Sequence, residues 1–276
     1  MQFNFEHHGK QYRCATQDAT SIAIELDFDG PQPNHFGVAS ASSSVVKLDG
    51  FVGDTKQGGS CNVDSLCLVP HCNGTHTESV GHIVNQDVPV GQIAINPIIV
   101  AMLITVQPKT AKQVTQTYRP ELEGSDQIID STQLLAAVAK LGDPKLIRPG
   151  ALIVRTLPND ADKRSRTYSK KNAAPFFTVE AVEAINSLGI EHLLVDFPSI
   201  DRSNDDGLLT NHPIFWGVPE TTHDLTESTK RDKTITEMVF VADEIADGLF
   251  GINIQVPALK SDAAPSRPII MPLKSA

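Results

Sequence analysis

Phe177-Thr-Val-Glu-Ala-Val-Glu-Ala-Ile-Asn-Ser-Leu-Gly-Ile-Glu-His-Leu-Leu-Val-Asp196 is the run that decides the fold class. Val179, Val182, Ile185 and Leu188 recur at helical spacing over Thr178–Leu188, and Gly189 supplies the stop. His192–Asp196 then reads as a short buried strand. Ala151–Thr156, after the turn Arg148-Pro-Gly150, reads as another. A helix followed closely by an apolar strand implies a crossover back onto a sheet.

Toward the N-terminus the chain is rich in β-branched residues and turn formers. Ser21–Asp29 alternates apolar and polar residues and reads as a strand ended by Gly30-Pro31. Ile93–Val106 reads as a buried strand, or a pair broken near Pro97. Asp130-Ser-Thr-Gln133 resembles a capping box opening a short helix, with Leu134, Leu135, Val138 and Leu141 on one side and Gly142 as its stop. Asp201–Lys233 is polar apart from Pro213–Trp216 and reads as a long functional loop, because a strand follows at Gly251–Val256. The expected architecture is α/β, a single domain over residues 1–276, with a mixed sheet, able to close into a barrel-like core, flanked by helices.

The 276 residues are 40% apolar and 20% charged, an ordinary globular composition. The longest apolar stretch, near Ile98–Thr105, is too short to span a bilayer. Met1–His8 lacks the basic and apolar regions of an export signal, so a cytoplasmic location without membrane contact is expected. A net charge of −10 and a pI near 5.3 argue against binding nucleic acid. The clusters Lys163-Arg164-Ser-Arg166 and Lys170-Lys171 read as a solvated loop. Of the four cysteines, Cys14, Cys61 and Cys67 read as buried small apolar residues, and disulfides are not expected.

The chemistry concentrates in His71-Cys-Asn-Gly-Thr-His-Thr-Glu-Ser-Val-Gly-His82. Cys72, His76, Glu78 and His82 share one parity. In an extended segment all four point to one face, and His71 to the other. A thiolate, an imidazole and a carboxylate so close together suit a divalent ion. The alternative is a polar strand whose histidines only hydrogen-bond. There is no Gly-x-Ser-x-Gly elbow, Walker loop or Gly-x-Gly-x-x-Gly, so serine hydrolysis and nucleotide binding have no motif behind them.

The segment resembles the motif His-x-Gly-Thr-His-x-Asp-x-Pro-x-His of the cyclase family, which includes bacterial kynurenine formamidases and isatin hydrolases. Cys72-Asn-Gly-Thr-His76-Thr-Glu78-Ser-Val-Gly-His82 follows it without a gap. Gly150–Thr156 is similar to the family's strand ending in Arg-Thr, and Phe177–Ile190 to its helix. Leu194-Val-Asp196-Phe-Pro198-Ser199-Ile-Asp201 resembles its Asp-x-Pro-Ser-x-Asp segment. Ile252–Pro257 and Pro265-Ser-Arg267-Pro268 resemble its closing strand and Pro-x-Arg turn. The likeness spans about Ser21–Pro268.

The resemblance implies a swivelling β/β/α fold, with Cys72, His76 and Glu78 as metal ligands and His82 as the acid and base. Where a second ion is bound, it implies Glu78 as a bridge, with His212 and Glu237 as further ligands. Cys72 stands where the family has His, which favours zinc, with manganese as the alternative. Glu78 replaces Asp, moving the carboxylate out by one carbon step, about 1.5 Å, and Val80 replaces Pro. The implied reaction is hydrolysis of a small amide by metal-activated water. Its substrate would be an aryl formamide such as N-formylkynurenine, or a cyclic amide or imide. The rival reading is a non-catalytic ligand-binding relative. His35 falls where the family has an early loop reaching its substrate pocket, and reads either as a pocket residue or as part of a simple turn. Trp216 reads either as a pocket wall beside His212 or as core. A homo-oligomer is expected, with the apolar residues of Leu208–Gly217 covering a neighbouring subunit's pocket.

Overall fold

The computed structural model describes residues 2–93, 95–169 and 172–275. Among them the main sheet has nine strands: β1 (Thr20–Ser21), β2 (His76–Glu78), β3 (Ile99–Val106), β4 (Ala151–Thr156), β5 (His192–Val195), β6 (Thr234–Glu237), β7 (Gly248–Asn253), β8 (Ala263–Pro265) and β9 (Ile269–Pro272). Their order is β8-β2-β6-β5-β4-β3-β7-β9-β1. The central run β6-β5-β4-β3 is parallel, and the outer pairings are antiparallel. β3, β4 and β5 are apolar on both faces because both faces are covered.

Five helices join this sheet: α1 (Pro70–Asn73), α2 (Ser131–Lys140), α3 (Pro144–Ile147), α4 (Val179–Ser187) and α5 (Asn211–Trp216). Helix α4 is the crossover between the parallel strands β4 and β5, as the opening run implies. Thr178 caps it by accepting from the Ala181 amide at 3.1 Å, and Gly189 leaves it at φ +77°. Asp130 caps α2, accepting from the Gln133 amide at 2.8 Å, but the Gln133 side chain bonds Ile128 O rather than completing a box. One face of the sheet, through Met102, Ile104, Leu152, Val154, Leu193 and Val195, packs on Leu134, Val138, Val182, Ile185, Phe215 and Trp216. The other face carries Ala101, Leu103, Ile153, Leu194, Phe250 and Ile252. Full burial of each large aliphatic chain stabilises by about 1.5–3 kcal/mol.

The sheet is curled. Leaving the edge strand β1, the chain bridges Ala23 to Val239, beyond β6. Ile22 O accepts from the Phe240 amide at 2.8 Å, and Thr75 Oγ1 accepts from the Ile24 amide at 2.8 Å. One edge thus folds back toward the other, giving a mixed α/β half-barrel in which Ile22 and Ile24 are buried.

Several local expectations are corrected. Ser21–Asp29 is not a continuous strand; past Ser21 only an isolated bridge at Ala23 remains, because the segment turns inward across the curl. Strand β3 starts only at Ile99. Lys163 is not solvated: it is 4% exposed and its ammonium lies 2.8 Å from Asp196. Lys170 and Lys171 lie outside the described residues. Cys14 is buried as expected, but Cys61 and Cys67 are exposed, on and beside a small hairpin away from the core. The Asp201–Lys233 segment contains α5, whose Phe215 and Trp216 are wholly buried in this chain's own core, so they are not free to cover a neighbour. Among the described residues no helix is long and apolar enough to cross a membrane.

Candidate metal centre

The centre is built on two adjacent strands. Antiparallel pairing sets His76 opposite Glu237 and Glu78 opposite Ile235. The two-residue period places His76 and Glu78 on one face with Glu237 across from them. Thr77 takes the opposite face, where its hydroxyl lies 2.8 Å from those of Thr236 and Ser266. His76 Nε2 is 3.5 Å from Glu237 Oε2. Helix α5 brings in His212, whose Nε2 lies 3.0 Å from Glu78 Oε1 and 3.9 Å from Glu237 Oε1.

Two hydrogen bonds orient the rings. His76 Nδ1 donates to Gly74 O at 3.0 Å, and His212 Nδ1 donates to Asp201 Oδ2 at 2.5 Å. Asp201 also accepts from the Asn211 amide at 2.7 Å, the His212 amide at 3.1 Å and the Tyr118 hydroxyl at 2.8 Å. Each histidine therefore turns its Nε2 toward the carboxylates, that of His212 donating to Glu78 Oε1 at 3.0 Å and that of His76 presenting a lone pair, the orientation that outer partners impose on metal-ligating imidazoles. His76 Nε2 is buried and has no hydrogen bond among the described residues. A buried acceptor aimed at a carboxylate is satisfied by a cation between them. Together with donors that are all nitrogen, oxygen or sulfur, this makes a divalent ion fit the site.

The parity expected for an extended segment fails at its start. Pro70 opens α1 at a position that suits it, and the helical turn brings His71 inward. His71 Nδ1 is 3.0 Å from Glu78 Oε2 and its Nε2 is 2.9 Å from Asp262 Oδ2. Its ring centroid is 5.2 Å from that of His76 and 4.2 Å from that of His82. Among the described residues three sets of donors lie within 4.8 Å of one another: His71, His76 and Glu78; Glu78, His82 and His212; His71, His82 and Asp262. Cys72 is buried but belongs to none of these sets. Burial, and then the charge of Glu237, raise its thiol pKa. His82 ends a short turn, Val80–His82, with Nδ1 3.3 Å from Asp262 Oδ2 and Nε2 4.0 Å from Glu78 Oε2.

The electrostatics are those of carboxylates pinned by imidazoles. Burial works to raise Glu78, but its neighbours His82 and His212 outweigh it and hold the carboxyl well below its ordinary value. Burial works to lower His71, yet hydrogen bonds to Asp262 and Glu78 raise it to about 10. Hydrogen bonds from His71 and His82 hold Asp262 far below the usual carboxylate range.

His35 and Trp216 differ. His35 is 2% exposed, and neither ring nitrogen has a hydrogen bond among the described residues. Burial, then the neighbouring His76, lower its pKa to about 4, and its amide donates to Cys72 O at 3.1 Å. It lines a cavity of about 780 Å³ with Phe36, Tyr168, Phe176 and Arg202. Trp216 is fully buried, donates to Lys233 O at 3.0 Å and stands 5.5 Å from the His212 ring, so it packs behind the histidine. The sequence reading missed His71 and Asp262. Asp262 had no local signal, because its partners lie 180 and 191 positions away.

A curled α/β sheet that carries a histidine–carboxylate centre on adjacent strands defines the structural class. The chain belongs to the Cyclase family, whose model matches residues 16–202. Among solved structures it is similar to an isatin hydrolase bound to the product analogue thioisatinate (14% identity, TM-score 0.61, 94% of each chain covered). It is also similar to isatin hydrolase A from Labrenzia aggregata bound to benzyl benzoate (15%, 0.59, 92% of this chain and 93% of that one). A predicted metal-dependent hydrolase from Bacillus stearothermophilus is similar too (13%, 0.57, 92% and 97%). At these identities the likeness establishes the fold. No curated protein matches the chain.

Proposed function

We propose that the chain is a metal-dependent hydrolase of a small amide, either an aryl formamide such as N-formylkynurenine or a cyclic amide or imide. The observation that carries this reading is the buried His76 Nε2, without a hydrogen bond among the described residues and facing Glu237, beside Glu78 and His212. His76, Glu78, His212 and Glu237 would hold the ion, with Cys72 or His71 completing the set. Zinc is favoured through Cys72, with manganese as the alternative. When bound, a divalent ion supplies Lewis-acid activation of water and of the amide carbonyl.

The chain's own groups do the rest. His82, with a side chain 27% exposed and Nε2 4.0 Å from Glu78, reaches both solvent and the buried carboxylate. It takes a proton from the water that adds to the carbonyl carbon and returns it to the nitrogen as the C–N bond breaks. Asp201 holds the His212 ring in one orientation. The cavity beside His35 receives the aryl part of the substrate, where Phe36, Tyr168 and Phe176 offer aromatic faces.

A screen of formyl anilides and cyclic imides, on protein purified without chelator and with its metal content measured, tests the proposal. Bound metal with ring opening or deformylation supports it. Metal without turnover on any amide favours the second reading, a non-catalytic ligand-binding relative. That reading draws support from the absence of Cys72 from all three donor sets.

A further inference from the structure

Asp262 lies immediately before β8, on the outer side of the centre, and its geometry is specific. One oxygen, Oδ2, accepts from His71 Nε2 at 2.9 Å and from His82 Nδ1 at 3.3 Å. The other, Oδ1, accepts from the Ser261 hydroxyl at 3.3 Å. The backbone oxygen of Asp262 accepts from the Ser79 amide at 2.9 Å, while the Ser79 hydroxyl donates to Val88 O at 2.5 Å and lies 3.2 Å from the Asp262 oxygen. Ser79 is in turn the cap of the Val80–His82 turn, its Oγ accepting from the Gly81 amide at 3.1 Å. Carboxylate and histidine thus sit on two stretches of chain fastened at Ser79, so the His82 ring cannot turn without breaking a tied contact.

We propose that Asp262 is a positioning residue that keeps the proton of His82 on Nδ1 and presents the Nε2 lone pair toward Glu78. A carboxylate that accepts from one ring nitrogen fixes the tautomer and the direction of the other. The same oxygen steadies His71, whose ring lies 4.2 Å from that of His82 at an interplanar angle of 30°. Asp262 touches neither substrate nor reacting atoms and acts through the two imidazoles. The inference deepens the hydrolase reading and rests on it for the role of His82.

The test is the nitrogen NMR spectrum of histidine-labelled protein, with resonances assigned by a His82→Gln variant. In the unaltered chain His82 should show a protonated Nδ1 and an unprotonated Nε2. In Asp262→Ala the proton should move to Nε2, which faces the Glu78 carboxylate. In Asp262→Glu the original pattern should largely return. With a hydrolysed amide in hand, Asp262→Ala should lower kcat by about 10–100-fold, the usual effect of losing such a partner. KM should change little, and Asp262→Glu should restore part of the rate. A merely structural Asp262 would instead lower stability and leave the tautomer alone, which overturns the proposal. If Asp262→Ala does not fold, the unaltered spectrum still decides: a protonated Nε2 on His82 overturns it. The stated tautomer with no amide hydrolysed would overturn the hydrolase reading and leave the positioning role standing.

Discussion

His71 and Cys72 are consecutive residues on one short helix, and each is a candidate for the last place in the ligand set. His71 reaches Glu78 directly, whereas Cys72 belongs to none of the donor sets, and burial and then the charge of Glu237 raise its thiol pKa. A divalent ion would reverse this, because a coordinating thiol is deprotonated. Cys72→Ser is therefore expected to weaken zinc retention far more than manganese retention, since only the softer ion gains from sulfur. His71→Ala should weaken both alike. Competition against a chelator measures this, and an unchanged zinc affinity in Cys72→Ser would give the place to His71. His76 and His82 should separate in another way. His76→Ala is expected to deplete bound metal, while His82→Ala keeps it and loses roughly 10²–10⁴-fold in turnover, the contribution of a placed acid and base. Equal metal loss in both would make His82 a ligand.

At the scale of elements, the segment after β4 is fastened by a buried charge pair. Lys163 Nζ donates to Asp196 Oδ2 at 2.8 Å, to Thr156 O at 2.7 Å and to Thr156 Oγ1 at 3.0 Å. Asp196 also accepts from the Thr156 amide at 2.8 Å. The pair ties the loop leading to Tyr168, and so one wall of the cavity, to the ends of β4 and β5. Burial still raises the Asp196 pKa against the pull of Lys163. Lys163→Met should accordingly destabilise by about 3–5 kcal/mol in urea unfolding, because it strands a buried carboxylate. Adding Asp196→Asn should recover much of that loss. If Lys163→Met proves neutral, the pair is not what secures this loop. Helix α4 answers to its cap, and Thr178→Ala should cost about 1 kcal/mol.

For the molecule as a whole, acid sensitivity follows from histidines buried uncharged. His192 begins β5 at 4% exposure and bonds Thr234. Burial, then the charge of Lys233, lower its pKa to about 4. The unfolded chain, with an ordinary value of about 6.5, takes up the proton first as pH falls. Between those two values the unfolded state binds more protons, so stability is present above about 6.5 and declines toward about 4, by up to about 1.4 kcal/mol per pH unit. His192→Gln should flatten the dependence of the urea midpoint on pH over this window, leaving the smaller slope that His35, lowered in the same direction, supplies. An unchanged slope would show that His192 is not held uncharged. Assembly into a homo-oligomer is proposed on the family likeness, and sedimentation at micromolar concentration checks it; a monomer removes the idea.

The sequence by itself determined what depends on near neighbours along the chain. The period of Val179, Val182 and Ile185 fixed helix α4, and apolar runs fixed β3, β4 and β5. The spacing of His76 and Glu78 put two chemical groups on one strand face, since a strand's side chains alternate whatever it pairs with. Glu237 and His212 were legible only through likeness to the family, because no local rule ties either one to His76. Only the tertiary structure decided the rest. It wound Pro70–Asn73 into a helix and so turned His71 inward against its parity. It set Asp262 beside two histidines from which it is remote in sequence, and it drew Lys163 out of an outwardly solvated basic run onto Asp196. For Asp262 and Lys163 the deciding partner is remote in sequence, and a charged or polar side chain reads as exposed until the group that compensates its burial is in place.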